Sequence, residues 1–217
     1  MFLGVLTQLA EGFVITLELF VLTLVLALPL GLIISFGLMA RFKPLQYLVK
    51  IFVWIIRGTP LMLQLFVVCY GPGLFGLMAM RDSFLAATIA FVINYACYFA
   101  VIYKGGIESI SKGQYEAGQV LGMTRTQIFS RIVLLQVIKR IMAPMSNEVM
   151  TLVKDTSLAN TLGGIVEIIA AAKAVTGTYA LPLIYPLLGA GVFFLLFIGV
   201  LTLLFGFIEK KLNYFRV

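Results

Sequence analysis

Histidine is absent from the 217 residues. That excludes His-ligated metal centres and removes the commonest general base, leaving a nucleophile–base enzyme little to work with. Charge is scarce too: 12% of residues are Asp, Glu, Lys or Arg against 62% hydrophobic, about half the charged share of a soluble domain. The two cysteines, Cys69 and Cys97, lie inside apolar runs. There a thiol is a small packing group, and neither a disulfide nor a metal pair is expected. No Lys or Arg precedes Arg41, so a cleavable secretory signal, which needs a basic n-region, is not expected. No G-x-x-x-x-G-K-[ST] loop occurs either, so the chain does not carry the phosphate cradle of an ATPase.

What the chain has is apolar length, with a mean hydropathy of +1.09. Segments 19–40, 61–80 and 83–103 carry no charge, and 174–208 is uncharged over a span plus a connection. Roughly 20 apolar residues cross a hydrocarbon core about 30 Å thick. The runs are continuous rather than alternating, which argues against a β-barrel. The expected fold is an all-α polytopic membrane protein.

Basic residues set the orientation. Arg41, Lys43 and Lys50 form one group, and Lys104, Lys112, Arg125, Arg131, Lys139 and Arg140 a second. Lys210, Lys211 and Arg216 form a third. Together these are twelve of the 16 Lys and Arg; Arg57, Arg81, Lys154 and Lys173 remain. Placing the large set in the cytoplasm predicts five transmembrane helices, with the N-terminus outside and the C-terminus cytoplasmic. The net charge of +7 then reads as topology and attraction to the lipid bilayer, with no nucleic-acid partner. The spans are expected at 13–40, 48–70, 83–103, 132–153 and 183–208, forming a single domain over 1–217.

In chain order, 1–12 reads as a short amphipathic helix on the outer surface. The second span holds Arg57-Gly-Thr-Pro60; Pro60 predicts a kink or break, and an Arg inside a span needs a partner, Glu148 or Asp155 being candidates. Asn94 reads first as an interhelical hydrogen bond. Lys154 to Ser157 offers N-caps for a new short helix. Glycines 163 and 164 break that helix, and 167–175 predicts an outer helix closed by Thr176-Gly177.

One polar interval stands out, Gln114 to Leu135. Ser111 to Gln114 and Thr124 to Gln127 each have the S/T-x-x-Q form of a capping box, and Gly122 supplies a residue that reaches positive φ cheaply. The interval predicts a short helix, a turn at Gly122-Met123 and a second helix into the fourth span, an elbow over 112–131 suited to transmitting force.

Glu116-Ala117-Gly118, three further residues, Gly122, nine more, then Ile132-Val-Leu134 resembles the EAA motif of bacterial ABC importer permeases (E-A-A, three residues, G, nine residues, I-x-L-P). Gly118 replaces the second Ala and Leu135 the Pro; the glycine would loosen the first helix by roughly 0.5–1 kcal/mol. Arg57-Gly-Thr-Pro-Leu61 with Gln64, Gly105 to Ile110, Lys112 to Gln114 and Lys154 to Leu158 are similar to the polar amino acid group of that family, type I. Tyr98-Phe-Ala100 departs from it: Val101 follows where the family usually has a nearby acid.

The resemblance implies a non-catalytic permease subunit of the plasma membrane with no cofactor, ATP being bound by a partner. That partner is a cytoplasmic ABC ATPase subunit, contacted through a coupling helix-turn-helix between spans 3 and 4. Glu116 and Arg125 would be its polar contacts, with Ala117, Gly118, Gly122 and Ile132 completing the motif. A second permease chain, identical or related, and an extracytoplasmic amino acid binding protein are also implied. For the cargo, the polar groups at span depth are Arg57, Asn94, Asn147, Glu148 and Asp155. An amino acid carries a carboxylate and an ammonium, so its path wants a donor and an acceptor. An anionic Glu148 points to a cationic side chain, unless it pairs with Arg57. An ion-coupled secondary amino acid transporter is the alternative; it would usually have more spans and an internal repeat.

Overall fold

A computed structural model describes residues 2–76 and 78–212, and those described residues form helices joined by short turns, without strands. Nine α-helices follow in order: α1 (Phe2–Leu38), α2 (Lys43–Gly58), α3 (Leu61–Leu74), α4 (Ser83–Glu108), α5 (Lys112–Val120), α6 (Arg125–Ile128), α7 (Leu134–Asp155), α8 (Ile168–Tyr179) and α9 (Ile184–Leu212). A π-helical turn (Phe129–Val133) joins α6 to α7, and a 3-10 turn (Thr156–Leu162) follows α7.

The core is the packing of α1 on α4. Ala86, Ala87, Ala90, Ala96 and Ala100 make one buried face of α4. At Gly31 of α1 an added Cβ would sit 2.9 Å from the Ala96 carbonyl oxygen. Small residues let helix backbones approach this closely in an apolar medium, where dispersion rather than water exclusion holds helices together. Phe91, Tyr95 and Phe99 fill the space around them.

Several boundaries differ from expectation. The first twelve residues form no separate surface helix, because α1 runs unbroken from Phe2 to Leu38. Gly12 is a packing position there: a Cβ would lie 2.6 Å from that of Ala171 on α8. Helix α4 runs past Tyr103 to Glu108, where Lys104 and Glu108 pair at 2.9 Å across one turn. The short helix expected at Lys154 to Ser157 forms as the 3-10 segment Thr156–Leu162, but without a side-chain N-cap. Instead α7 tightens directly into the 3-10 turn, and Thr156 and Ser157 donate their hydroxyls back to the Val153 and Lys154 carbonyls. Glycines 163 and 164 do break it, at φ 73° and 76°. Helix α8 does not close at Thr176-Gly177; it continues to Tyr179 and ends at left-handed Ala180.

Glu167 caps α8 and is fully buried. Its carboxylate accepts from the Ile169 and Ala170 amides at 2.9 and 2.8 Å and from Asn160 Nδ2 at 3.0 Å. Burial pushes this carboxyl above its ordinary pKa; those three bonds and the charge of Lys173 oppose the shift.

The expected second span is broken. α2 and α3 meet at Thr59-Pro60 with a bend of 108°. Pro60 has no N–H to continue the ladder, and the freed groups are met by Gln64, whose Nε2 donates to the Ile56 carbonyl (2.7 Å), the Thr59 carbonyl (3.1 Å) and Thr59 Oγ1 (2.9 Å). Among the described residues α1, α4 and α9 are long and apolar enough to cross a membrane, and the bent pair makes a fourth if it counts as one span. Helix α7 has 22 residues but carries Lys139, Arg140, Glu148, Lys154 and Asp155. Arg216, in the basic set, lies outside the described residues.

Candidate functional site: an elbow and an acidic cavity

The elbow is built by local rules. Helix α5 starts after Ser111 and ends in a Schellman motif: the Met123 amide donates to the Gly118 carbonyl at 3.0 Å and the Gly122 amide to that of Gln119 at 2.9 Å. That motif needs a left-handed residue, and Gly122 has φ 70°. Thr124 then opens α6 with the full capping box, its hydroxyl accepting from the Gln127 amide (3.3 Å) while Gln127 Oε1 accepts from the Thr124 amide (2.9 Å). The first expected capping box does not form, since Ser111 makes no side-chain cap bond. Gln114 has another use: its Oε1 accepts from Gln136 Nε2 at 3.2 Å, tying the start of the elbow to α7.

Gly118 is explained by packing. A Cβ there would sit 2.6 Å from Ile128 Cγ1, so the glycine lets α5 close onto α6. Ile128 and Val133 are fully buried here with Ile110 and Val137. Glu116, Ala117, Gly122 and Arg125 are exposed and Ile132 half-buried. Sequence reasoning missed the tip: Val120 and Leu121 are 87% and 75% exposed, two apolar side chains held out at the turn. Their place just before the turn glycine was the available signal.

The polar residues at span depth do not all meet. A cavity of about 340 Å³ is lined by Asn94, Glu148 and Asp155, together with Tyr95, Tyr98 and Thr151. Asp155 accepts a 2.7 Å hydrogen bond from the Tyr95 hydroxyl, and Tyr95 is itself buried. Asn94 makes the interhelical bond expected of it, donating to Gln64 Oε1 at 3.0 Å, so the residue that repairs the α2–α3 break also orients a cavity amide. Asn147 is exposed on α7 and outside this lining; its carbonyl accepts from Thr151. Arg57 forms no ion pair with Glu148 among the described residues. Its guanidinium lies 4.9 Å from the centre of the Tyr98 ring, and it lines a different, neighbouring cavity. Tyr95, Tyr98 and Thr151 carried no local signal, since their partners come from distant parts of the chain. The lining offers two carboxylates and no cationic side chain, so it can hold a cation and, through hydroxyl and amide groups, a polar ligand. Among the described residues no cluster of His, Cys, Asp or Glu is suited to a metal.

Residues 27–214 match the family described as binding-protein-dependent transport system inner membrane component. The chain is 34% identical over 206 residues to the arginine transport system permease protein ArtQ of Bacillus subtilis (strain 168), covering 94% of this chain and 91% of that one. It is 31% identical to the arginine ABC transporter permease protein ArtM of Haemophilus influenzae (strain ATCC 51907 / DSM 11121 / KW20 / Rd), over 100% and 97% of the two chains. A solved amino acid ABC transporter with histidines shares its fold at a TM-score of 0.85 and 27% identity, covering 94% of each chain. The methionine ABC transporter MetNI, captured facing inward, is alike in fold at a TM-score of 0.68 and 16% identity. By the match over residues 27–214 and its likeness to these permeases, this chain belongs to the binding-protein-dependent transport system inner membrane component family, the non-catalytic permease subunits of ABC importers.

Proposed function

We propose that the chain carries polar amino acids with a cationic side chain and drives their passage by docking its elbow on a cytoplasmic ABC ATPase. The observation that carries the substrate class is the cavity at Asn94, Glu148 and Asp155, with two carboxylates and no cation in its lining. A basic side chain or an α-ammonium gains a charge-assisted hydrogen bond at each carboxylate, roughly twice the strength of a neutral one. The Tyr98 hydroxyl serves the substrate carboxylate. That relatives are named for arginine transport supports the same class.

For coupling, Glu116 and Arg125 flank an exposed apolar tip, Val120-Leu121, on a bend fixed by Gly122. Five spans, with the elbow between the third and fourth, accord with the basic-residue count. The N-terminus is then outside and the C-terminus cytoplasmic, and α7 is the fourth span, its charged residues turned from lipid toward the path. A second permease chain completes that path, and an extracytoplasmic binding protein delivers cargo to its outer end.

The test is ATPase stimulation of the reconstituted complex with its binding protein, across a panel of amino acids. Arginine, lysine or their close analogues should stimulate hydrolysis well above acidic and neutral amino acids. Equal stimulation by glutamate and by arginine would overturn the cationic assignment.

A further inference from the structure

Beside the acidic cavity lies one of opposite character, about 430 Å³ in volume. Its floor is apolar, with Leu38 and Val53 buried and Val101 half-buried. Three cations line it, Lys50 and Arg57 from α2 and Lys104 from α4. Lys43, Lys50 and Arg57 stand seven residues apart along α2. That spacing is two turns, so they form one stripe at intervals of about 10 Å. Tyr47 and Trp54, also seven apart, make an aromatic stripe beside it, 61% and 75% exposed.

The carboxylates that face this cluster are Glu108, paired with Lys104 at 2.9 Å, and Glu148, which lines the neighbouring cavity with Tyr98. No carboxylate lines the basic cavity itself. Arg57 presents its guanidinium to the Tyr98 ring, an arrangement that uses its face and leaves its N–H edges able to donate.

We propose that this cavity binds the phosphate headgroup of an anionic phospholipid. Lys50, Arg57 and Lys104 hold the phosphate, the apolar floor receives the first part of an acyl chain, and Trp54 lies at the headgroup boundary, where aromatic side chains with a polar edge are favoured. A wholly soluble anion would have no use for the apolar floor. A basic recess between membrane helices is the general form of such headgroup sites. Only the leaflet, the cytoplasmic one, rests on the orientation proposed above; the site does not.

Trp54 is the one tryptophan of the chain and reports on this site. The assembled complex is reconstituted in phosphatidylcholine containing either brominated phosphatidylglycerol or brominated phosphatidylcholine. The Trp54 signal is taken as the difference from the Trp54→Phe complex. Phosphatidylglycerol should quench Trp54 at much lower mole fraction than phosphatidylcholine. In the Lys50→Gln/Lys104→Gln complex that preference should weaken roughly 30-fold, as loss of two headgroup cations predicts, while quenching by phosphatidylcholine stays unchanged and shows the pocket intact. Equal quenching by both lipids overturns the proposal. So does displacement of phosphatidylglycerol by millimolar inorganic phosphate, which would make a free anion the ligand. A Trp54 that no lipid quenches would mean that the second permease chain covers the cavity, and would overturn it as well.

Discussion

The elbow and the acidic cavity are each held by a few hydrogen bonds, but they span very different lengths of chain. In the elbow the determining contacts join residues three to ten apart, among them Thr124 with Gln127, Met123 with Gly118, and Gly118 against Ile128. In the cavity Tyr95 reaches Asp155 across 60 residues, and Asn94 reaches Gln64 across 30. A locally encoded element keeps its shape while the helices around it shift. A cavity made of α3, α4 and α7 changes shape whenever those helices move. That division suits a machine in which one part takes up force unchanged and another responds by opening and closing.

Replacing Gly122 with Val should break the contrast most severely. At φ 70° a β-branched residue is strained by about 1–3 kcal/mol, and the Schellman turn that aims Val120 and Leu121 would have to open. Nothing crowds the position, since an added Cβ meets no atom within 4 Å, so the damage is conformational and confined to the turn. The expected outcome is a complex that still inserts and binds substrate but loses substrate-stimulated ATPase and uptake together. Normal coupling in the variant would show that the turn transmits nothing.

Glu148→Gln probes the other region. It keeps the shape of the cavity and removes one of its two charges. If a cationic group sits there, losing its charge-assisted partner costs about 1.5–3 kcal/mol, or roughly 10–100-fold in apparent affinity. Uptake of cationic amino acids should fall by that factor, and a neutral amino acid is spared where Glu148 takes the basic side chain and Asp155 the α-ammonium. Unchanged arginine and lysine uptake would remove Glu148 from the site and leave Asp155 as its lone anion.

The same difference in contact range explains what could be read from the sequence. Caps and turns are short patterns, so the elbow's helix starts at Lys112 and Arg125 and its bend at Gly122 were legible residue by residue. Ser111 was misread because Gln114, the partner a capping box requires, is taken by Gln136, 22 residues away. Pro60 announced a break, but neither the 108° bend nor the role of Gln64 in satisfying it follows from a proline. Glu148 and Asp155 were recognisable as costly charges. Their companions Tyr95 and Tyr98, and the separation of Arg57 into a second cavity, depend on how α2, α4 and α7 pack. No local pattern encodes that.

Gly118 offers the finest test, because two effects of similar size oppose each other there. Taken as a helix position alone, Gly118→Ala should stabilise α5 by about 0.5–1 kcal/mol. Taken as a contact, the new methyl would meet Ile128 Cγ1 at 2.6 Å, and overpacking a buried contact of this kind costs about 1–3 kcal/mol. Ile128 is itself fully buried and has little room to retreat, so the contact should win and the elbow should loosen by about 1 kcal/mol net. Hydrogen exchange across 112–133 in the assembled complex should rise in Gly118→Ala. Against an Ile128→Ala background, which removes Cγ1, Cγ2 and Cδ1 together, Gly118→Ala should bring no such rise. If the single substitution protects the segment instead, helix propensity outweighs packing, and the glycine is no more than a tolerated departure from the motif.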